Sequence, residues 1–180
     1  MAFWTSTIEP KRQYRFKVQI VGMAEGATWY AKSATKPGLE VGEGLHKYLG
    51  HTFHFPGSVT WSDVTVTLVD PAEPDGAAEI LKLLKAAGYD TPKEPGTSLE
   101  TVGKRDMVAA IDGVIITQLN SSGRAQETWE LNNPIIKSIS LGDLSYDSED
   151  LSTIEIVFAY DWCTFGSDQL KDDLFGKGAV

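Results

Sequence analysis

The sequence has 180 residues, of which 42% are hydrophobic and 23% charged, as expected for one globular domain with a sizeable core. Its formal net charge of -9 is unsuited to gripping nucleic acid, because phosphate binding relies on Lys and Arg releasing counterions. One cysteine excludes an internal disulfide, and no stretch approaches the roughly 18 consecutive apolar residues of a membrane helix. The charged start, 1–11, does not resemble a signal peptide, so we expect a cytoplasmic, soluble product without membrane insertion.

The first third of the chain predicts two strands and a projecting arm. Residues 1–10 are expected to form a loose N-terminal arm, and residues 14–20 alternate apolar and polar side chains as a strand does. Residues 29–35 predict a second, weaker strand. The stretch 39–57 is rich in Gly, His and aromatic residues without helical periodicity, which favours an extended arm or hairpin used for contacts. The candidate contact residues of this arm are His46, Lys47, Tyr48, His51, Phe53, His54 and Phe55.

The middle of the chain predicts one further strand and the clearest helix. Residues 59–69 alternate again and end at Asp70-Pro71. Residues 76–87 carry apolar side chains at helical spacing after Asp75, which is placed to cap the helix start. A second helix is predicted within residues 99–111.

The last third predicts four strands. Residues 114–119 and 126–131 flank a polar turn and form a first pair. Residues 135–141 and 153–162 are expected to form a long antiparallel hairpin, with large apolar side chains at every even position of its second strand. Residues 166–180 are expected to form a flexible tail.

Sequential strands with few crossover helices favour one mainly β domain, an antiparallel β-sandwich or barrel with one flanking helix. The domain is expected to span residues 1–180. The predicted core residues are Phe16, Val18, Ile20, Val64, Val66, Leu68, Ile80, Leu81, Leu84, Ile154, Ile156, Phe158, Tyr160 and Trp162.

Residue patterns for catalysis and metal binding are missing from this sequence. The histidines of the 39–57 arm match no standard metal-ligand spacing, so polar decoration of an exposed arm is favoured over a metal site. No phosphate-binding loop or nucleophile elbow occurs, and Cys163 has the position of a strand residue. We therefore expect no catalytic residue, no metal and no cofactor.

Several segments resemble one protein family in their order and spacing. They are Pro10-Lys11-Arg12, Lys36-Pro37, His51 to Gly57, the run Thr60-Trp61-Ser62-Asp63-Val64-Thr65-Val66-Thr67-Leu68-Val69-Asp70, and Ala159-Tyr160-Asp161-Trp162. Together they resemble the tail-tube proteins of contractile-tailed bacteriophages, over roughly residues 10–165. The family is related in fold to the tube proteins of type VI secretion systems.

The resemblance implies a structural protein of the virion, in which six-membered rings stack into a hollow tube that conducts DNA during ejection. The 39–57 arm would then contact the neighbouring ring. The implied partners are further copies of the chain, with the tail sheath, baseplate and tail terminator proteins, while DNA passes through without specific binding. Acidic side chains would keep the channel wall from trapping DNA, and the candidates are Asp63, Glu155 and Asp161.

Two other functions compete with the phage tail tube. The second hypothesis is the tube of a bacterial injection or type VI-like secretion device, whose cargo is protein or whose action is membrane puncture. It is also compatible with an unrelated β-sandwich binding module that uses the arm as its binding surface.

Overall fold

The computed structural model describes residues 10–23, 31–89 and 101–167. The predicted N-terminal arm, except Pro10, and the predicted tail beyond Ser167 lie outside these residues. In chain order the described elements are β1 (Phe16–Ile20), β2 (Ala31–Ala34), β3 (Leu39–Tyr48), β4 (His51–Trp61), β5 (Val64–Val69), α1 (Gly76–Ala86), α2 (Lys104–Ile111), β6 (Val114–Leu119), β7 (Ala125–Asn132), β8 (Ile135–Ser140), β9 (Thr153–Ala159) and β10 (Trp162–Ser167). Gly166 and Ser167, predicted to begin the tail, therefore belong to a strand.

Two four-stranded antiparallel sheets form the body of the protein. The first sheet has the order β1-β6-β7-β10 and the second the order β2-β5-β9-β8. β3 and β4 pair only with each other and form a separate hairpin. This architecture confirms the predicted mainly β sandwich, and two helices accompany the sheets.

The core lies between the inner faces of the two sheets. Alternation places Val64, Val66 and Leu68 of β5 on the inner face, where their cross-strand neighbours in β9 are equally buried. The buried residues that the sequence analysis named are Val18, Ile20, Val64, Val66, Leu68, Ile80, Ile154, Ile156 and Phe158. Phe16, Leu84 and Tyr160 are half-buried against them.

Trp162 is a correction to the predicted core, since its side chain is 42% exposed. The run predicted as one strand bends after Ala159, and β10 continues in the other sheet. β7 runs into β8 at the same place, and Asp161 donates its backbone N–H to the carbonyl oxygen of Asn132 at 3.1 Å across the bend. The bend shifts the alternation by one residue, so Cys163 faces the core instead of Trp162.

Leu81 is the second correction, with 51% of its side chain exposed. α1 begins as predicted, because the Asp75 carboxylate accepts the backbone N–H of Ala78 at 3.0 Å. Its buried stripe, however, consists of Gly76, Ile80, Leu83 and Ala87 rather than a stripe through Leu81. Both stripes have helical spacing, so packing against the sheets decides between them.

α2 packs beside α1 and buries Met107 and Ile111 in the core. It covers eight residues of the predicted 99–111 helix, and residues 99 and 100 lie outside the described chain. Among the described residues, neither helix is long and apolar enough to cross a membrane.

Gly22 controls how the end of β1 meets α2, and we expect its substitution to destabilise the fold. Its φ of +101° disfavours other residues, and an added Cβ would lie 2.3 Å from the carbonyl oxygen of Ala110. Gly22→Ala should therefore lower the free energy of unfolding by about 2–4 kcal/mol, through strain and overpacking together. Gly123→Ala is the matched control, because Gly123 has a φ of +74° but no atom within 4 Å of the added Cβ.

The control should lose only about 1 kcal/mol, the cost of backbone strain alone. Urea denaturation of the two variants measures the difference. Equal losses would contradict the close approach of Gly22 to α2.

Candidate assembly surfaces

The β3–β4 hairpin projects from the sandwich and is exposed along both strands. Every residue of β3 is exposed, as is every residue of β4 before Trp61. Large apolar side chains are among them, with 57% of Leu45 and 56% of Phe55 exposed. The predicted 39–57 arm is thus a hairpin that extends to residue 61 and turns at Leu49-Gly50.

The two faces of the hairpin differ in chemistry. Cross-strand pairing places one set of side chains, the aromatic face, on one side: His46, Tyr48, His51, Phe53 and Phe55. The opposite side, the aliphatic face, carries Leu39, Val41, Leu45, Pro56 and Val59 together with Lys47 and His54. The seven predicted contact residues therefore divide between two faces, with five on the aromatic face.

Residues 10–23, 31–89 and 101–167 leave both faces of this hairpin uncovered. A two-stranded hairpin is marginally stable in water, and natural proteins rarely expose a contiguous apolar patch without using it. A bulge near Gly42 and Gly57 brings the two strands so close that a Cβ on Gly57 would lie 2.9 Å from the Gly42 backbone. The arm is therefore an ordered hairpin with two exposed faces.

The histidines of the hairpin have separate surroundings. His54 contacts the carboxylate of Glu43 across the strands, while His46 and His51 lie on the other face. Within the described residues, no group of three His, Cys, Asp or Glu side chains could hold a metal ion.

The outer face of the β2-β5-β9-β8 sheet is rich in hydroxyl groups. Its alternate positions carry Ser33, Thr65, Thr67, Ser138, Ser140, Thr153 and Glu155, together with the apolar Val69, Ile135, Val157 and Ala159. Glu155 is exposed and pairs in register with Thr67 and Ser140. This hydroxyl face contains one of the three predicted channel carboxylates.

The other two predicted channel carboxylates lie off that face and form ion pairs. Asp63 follows β4 and contacts the ammonium of Lys137, which occupies a bulge in β8. Asp161 lies at the bend before β10, where Lys104 and Asn133 donate hydrogen bonds at 2.8 and 2.9 Å. These bonds lower the pKa of the Asp161 carboxyl below its ordinary value, so it carries a compensated charge.

A further charged cluster was missed by the sequence reasoning. Glu127 and Gln118 are buried on the inner side of β7 and β6, where the ammonium groups of Lys11 and Lys36 reach them. Lys36 lies 2.9 Å from the Glu127 carboxylate. The sequence does contain a signal for this cluster, because Glu127 occupies an inward position of an alternating strand. A buried carboxylate needs a cationic partner, so a lysine or arginine could have been expected beside it.

Cys163 is fully buried, and burial raises the pKa of its thiol to about 12. A thiol in such surroundings is not a reactive nucleophile, because the thiolate is the attacking species. The position agrees with the strand role that the sequence predicted for this residue.

Comparison with solved structures relates this fold to contractile injection particles. The TM-score is 0.66 with the sheath/tube terminator of an extracellular contractile injection system, PVC, in the extended state, at 18% identity over 90% of this chain and 100% of that chain. It is 0.58 with a chain of the PVC sheath–tube complex, at 17% identity over 88% of this chain and 92% of that chain. The TM-score is also 0.58 with a chain of the 6-fold symmetrised anti-feeding prophage (AFP) baseplate, at 14% identity over 91% of this chain and 99% of that chain.

No protein-family model and no curated protein sequence matches the chain. The similarity therefore lies in the fold rather than in close sequence identity. The chain has the fold of tube-type proteins from contractile particles, and the predicted resemblance is confirmed at that level.

Proposed function

We propose that this chain is a structural subunit of the hollow tube of a contractile particle. The observation that carries the proposal is the exposed β3–β4 hairpin, whose aromatic and aliphatic faces both lack a cover within the described chain. Such an arm is useful to a protein that assembles with copies of itself. The fold shared with a PVC sheath–tube chain supports the same role.

In this proposal six copies form each ring, and rings stack along the tube axis. The AFP baseplate, which contains a chain of this fold, is 6-fold symmetrised. Four edge strands, β1, β10, β2 and β8, border the two sheets of this subunit. Contacts between unlike edges of neighbouring copies are head-to-tail, and such contacts generate closed rings when the rotation closes.

The hairpin makes the axial contact in this assembly. Its exposed apolar side chains lose their water when they pack on the neighbouring ring, and this burial contributes roughly 25 cal/mol per Å². Because the arm is already ordered as two paired strands, little conformational entropy is lost on docking.

The hydroxyl face is our candidate for the channel wall. It offers serine and threonine side chains and the Glu155 carboxylate. Such a wall would bind water, and its negative charge would not attract the phosphates of DNA. The outer face of the other sheet carries charges of both signs, including Lys17 and Glu130, and the half-exposed Trp162.

Charge reversal distinguishes the two faces. We expect tubes of Glu155→Lys to retain DNA, because one added cation per copy is repeated in every ring, whereas tubes of Glu130→Lys should not. Co-sedimentation of single-stranded DNA with assembled tubes after nuclease treatment, at several salt concentrations, measures the DNA retained inside the channel rather than on the outer surface. Retention by Glu130→Lys alone would place the other sheet at the channel.

The particle is either a phage tail or an injection device. The sequence resemblance favours a tail tube that conducts DNA, made in the host cytoplasm and carried in the virion beside sheath, baseplate and terminator proteins. The fold shared with chains of an extracellular contractile injection system supports the alternative, an injection device. Capsid and terminase genes beside this gene would support the phage tail. A neighbourhood without such genes would support the injection device.

A tube terminator is the second candidate role. The TM-score is higher with the PVC sheath/tube terminator than with the chain of the PVC sheath–tube complex, 0.66 against 0.58. A terminator ends a stack of rings, whereas a tube subunit continues it. Purified protein that forms single rings but never long stacks would support the terminator.

Negative-stain electron microscopy of the overexpressed protein tests the proposal as a whole. Hollow tubes or stacked rings are expected at high protein concentration. A protein that stays monomeric at all concentrations and with particle partners present would overturn it in favour of a β-sandwich binding module.

A further inference from the structure

A cavity of about 680 Å³ opens between the edge strands β1 and β2. Aromatic side chains, among them Tyr14 and Trp129, form part of its wall, and three lysines line it, Lys11, Lys32 and Lys36. We call it the cationic cavity. An apolar wall with charged groups around it is typical of a site that receives a partner side chain.

The cationic cavity holds more positive than negative charge. Lys11 and Lys36 share the carboxylate of Glu127, and Lys32 makes no ion pair with the described residues. Among the described residues, three ammonium groups and one carboxylate give the cavity a formal charge of +2. Burial, and then the charge of Lys11, lower the pKa of Lys36, which indicates that an additional anion would be favourable there.

An acidic loop leaves the opposite edge of the sandwich. Residues 141–152 connect β8 to β9 and contain Asp143, Asp147, Glu149 and Asp150 without any lysine or arginine, a formal charge of -4. All twelve residues are exposed. Leu144 is 94% exposed and the side chain of Tyr146 is fully exposed, so the loop presents two large side chains to solvent.

We propose that the acidic loop of one copy docks into the cationic cavity of the next copy around the ring. The inference rests on the proposed ring assembly and adds its lateral contact. The cavity lies at strand β2 and the loop at strand β8, which are the two edges of one four-stranded sheet. Three strand spacings, about 14 Å, separate these edges, so one copy cannot bring its own loop over its own cavity by a small movement.

A second copy fits this cavity because the charges are complementary between copies. Carboxylates of the loop satisfy the excess ammonium groups, and Tyr146 supplies a ring for the aromatic wall. Two acidic loops repel each other, as do two cationic cavities, so contacts that bring the same element of two copies together are disfavoured. Because the cavity and the loop lie at opposite edges of one sheet, loop-to-cavity contacts lead from copy to copy head-to-tail, which is the arrangement that closes a ring.

Charge reversal at exposed positions tests the contact. The cavity variant is Lys32→Glu, and the loop variant is Asp147→Lys with Glu149→Lys. We expect each variant to need roughly tenfold or more protein than the wild type for half-maximal ring formation in sedimentation, because the formal charge of the cavity falls from +2 to 0 in the first variant, that of the loop rises from -4 to 0 in the second, and the net attraction is lost. Lys85→Glu, at an exposed lysine of α1 away from the cavity, is the matched control and should assemble as the wild type does. Circular dichroism checks that all variants are folded.

Mixing the two variants gives the decisive result. In an alternating ring each contact is either wild-type loop on wild-type cavity or substituted loop on substituted cavity. The first kind keeps its full attraction and the second pairs the new carboxylate with the new ammonium groups, so the equimolar mixture should assemble at a lower concentration than either variant alone. The chain that carries all three substitutions should assemble as well. Normal rings from both single variants, or impaired assembly that neither mixing nor combination restores, would overturn the docking while wild-type rings keep the proposed function intact. A wild-type chain that forms no rings contradicts the proposed function first.

Discussion

Replacing Phe53 and Phe55 together by serine is expected to abolish tube assembly while leaving the isolated subunit folded. Both rings belong to the aromatic face of the β3–β4 hairpin, with 49% and 56% of their surface exposed. Fully burying a phenylalanine contributes about 1.5–3 kcal/mol, so the exposed halves leave roughly 1.5–3 kcal/mol per subunit for a partner to gain. That corresponds to about a 10- to 150-fold change in the affinity of each axial contact, repeated in every copy.

The stability of the unassembled double variant should stay within about 0.5 kcal/mol of the wild type, because exposed side chains contribute little to folding. Urea denaturation measures this, and negative-stain microscopy together with sedimentation measures assembly. Leu81→Gln is the matched control, since Leu81 is 51% exposed on α1 and is not part of the hairpin. Tubes formed normally by the double variant, or lost equally in the control, would show that the hairpin is not the axial contact.

Phe158→Ala is expected to lower the free energy of unfolding by about 3–5 kcal/mol, a large share of the 5–15 kcal/mol typical of a domain. Phe158 is 1% exposed and lies on the inner face of β9, where its cross-strand neighbour is the buried Val64. Removing the ring therefore leaves a cavity that rigid neighbouring strands cannot fill.

Trp162→Ala provides the comparison, because it removes a larger side chain from a position four residues later in the same alternating run. Because Trp162 is 42% exposed in the subunit, we expect Trp162→Ala to lower the free energy of unfolding by less than Phe158→Ala does, although tryptophan is the larger side chain. Urea denaturation of the unassembled variants gives both values. A larger loss for Trp162→Ala would mean that the strand continues unbent through Asp161.

Local signals in the sequence were enough for most strands and for α1. Alternation in residues 64–69 and 154–158 requires one buried face, and the structure buries that face. The start of α1 followed from Asp75, whose carboxylate accepts a backbone N–H three residues later. Such features depend on neighbouring residues alone, so they can be inferred without knowing the fold.

Features that depend on distant parts of the chain could not be inferred in the same way. The bend at Asp161 comes from two strands changing sheet together, and it reverses which side chains face the core. The ion pair between Lys11 and Glu127 joins residues 116 positions apart. The cationic cavity exists because β1 and β2 end up side by side at the edges of two different sheets.

The sequence by itself determined a mainly β chain with an exposed aromatic arm, because side-chain alternation and the lack of helical periodicity are written residue by residue. Only the tertiary structure decided which face each arm residue presents and where the predicted channel carboxylates lie. It also placed an acidic loop and a cationic cavity on opposite edges of the sandwich. The physical reason is that register and sheet order are set by packing between segments far apart in the chain, which no local pattern contains.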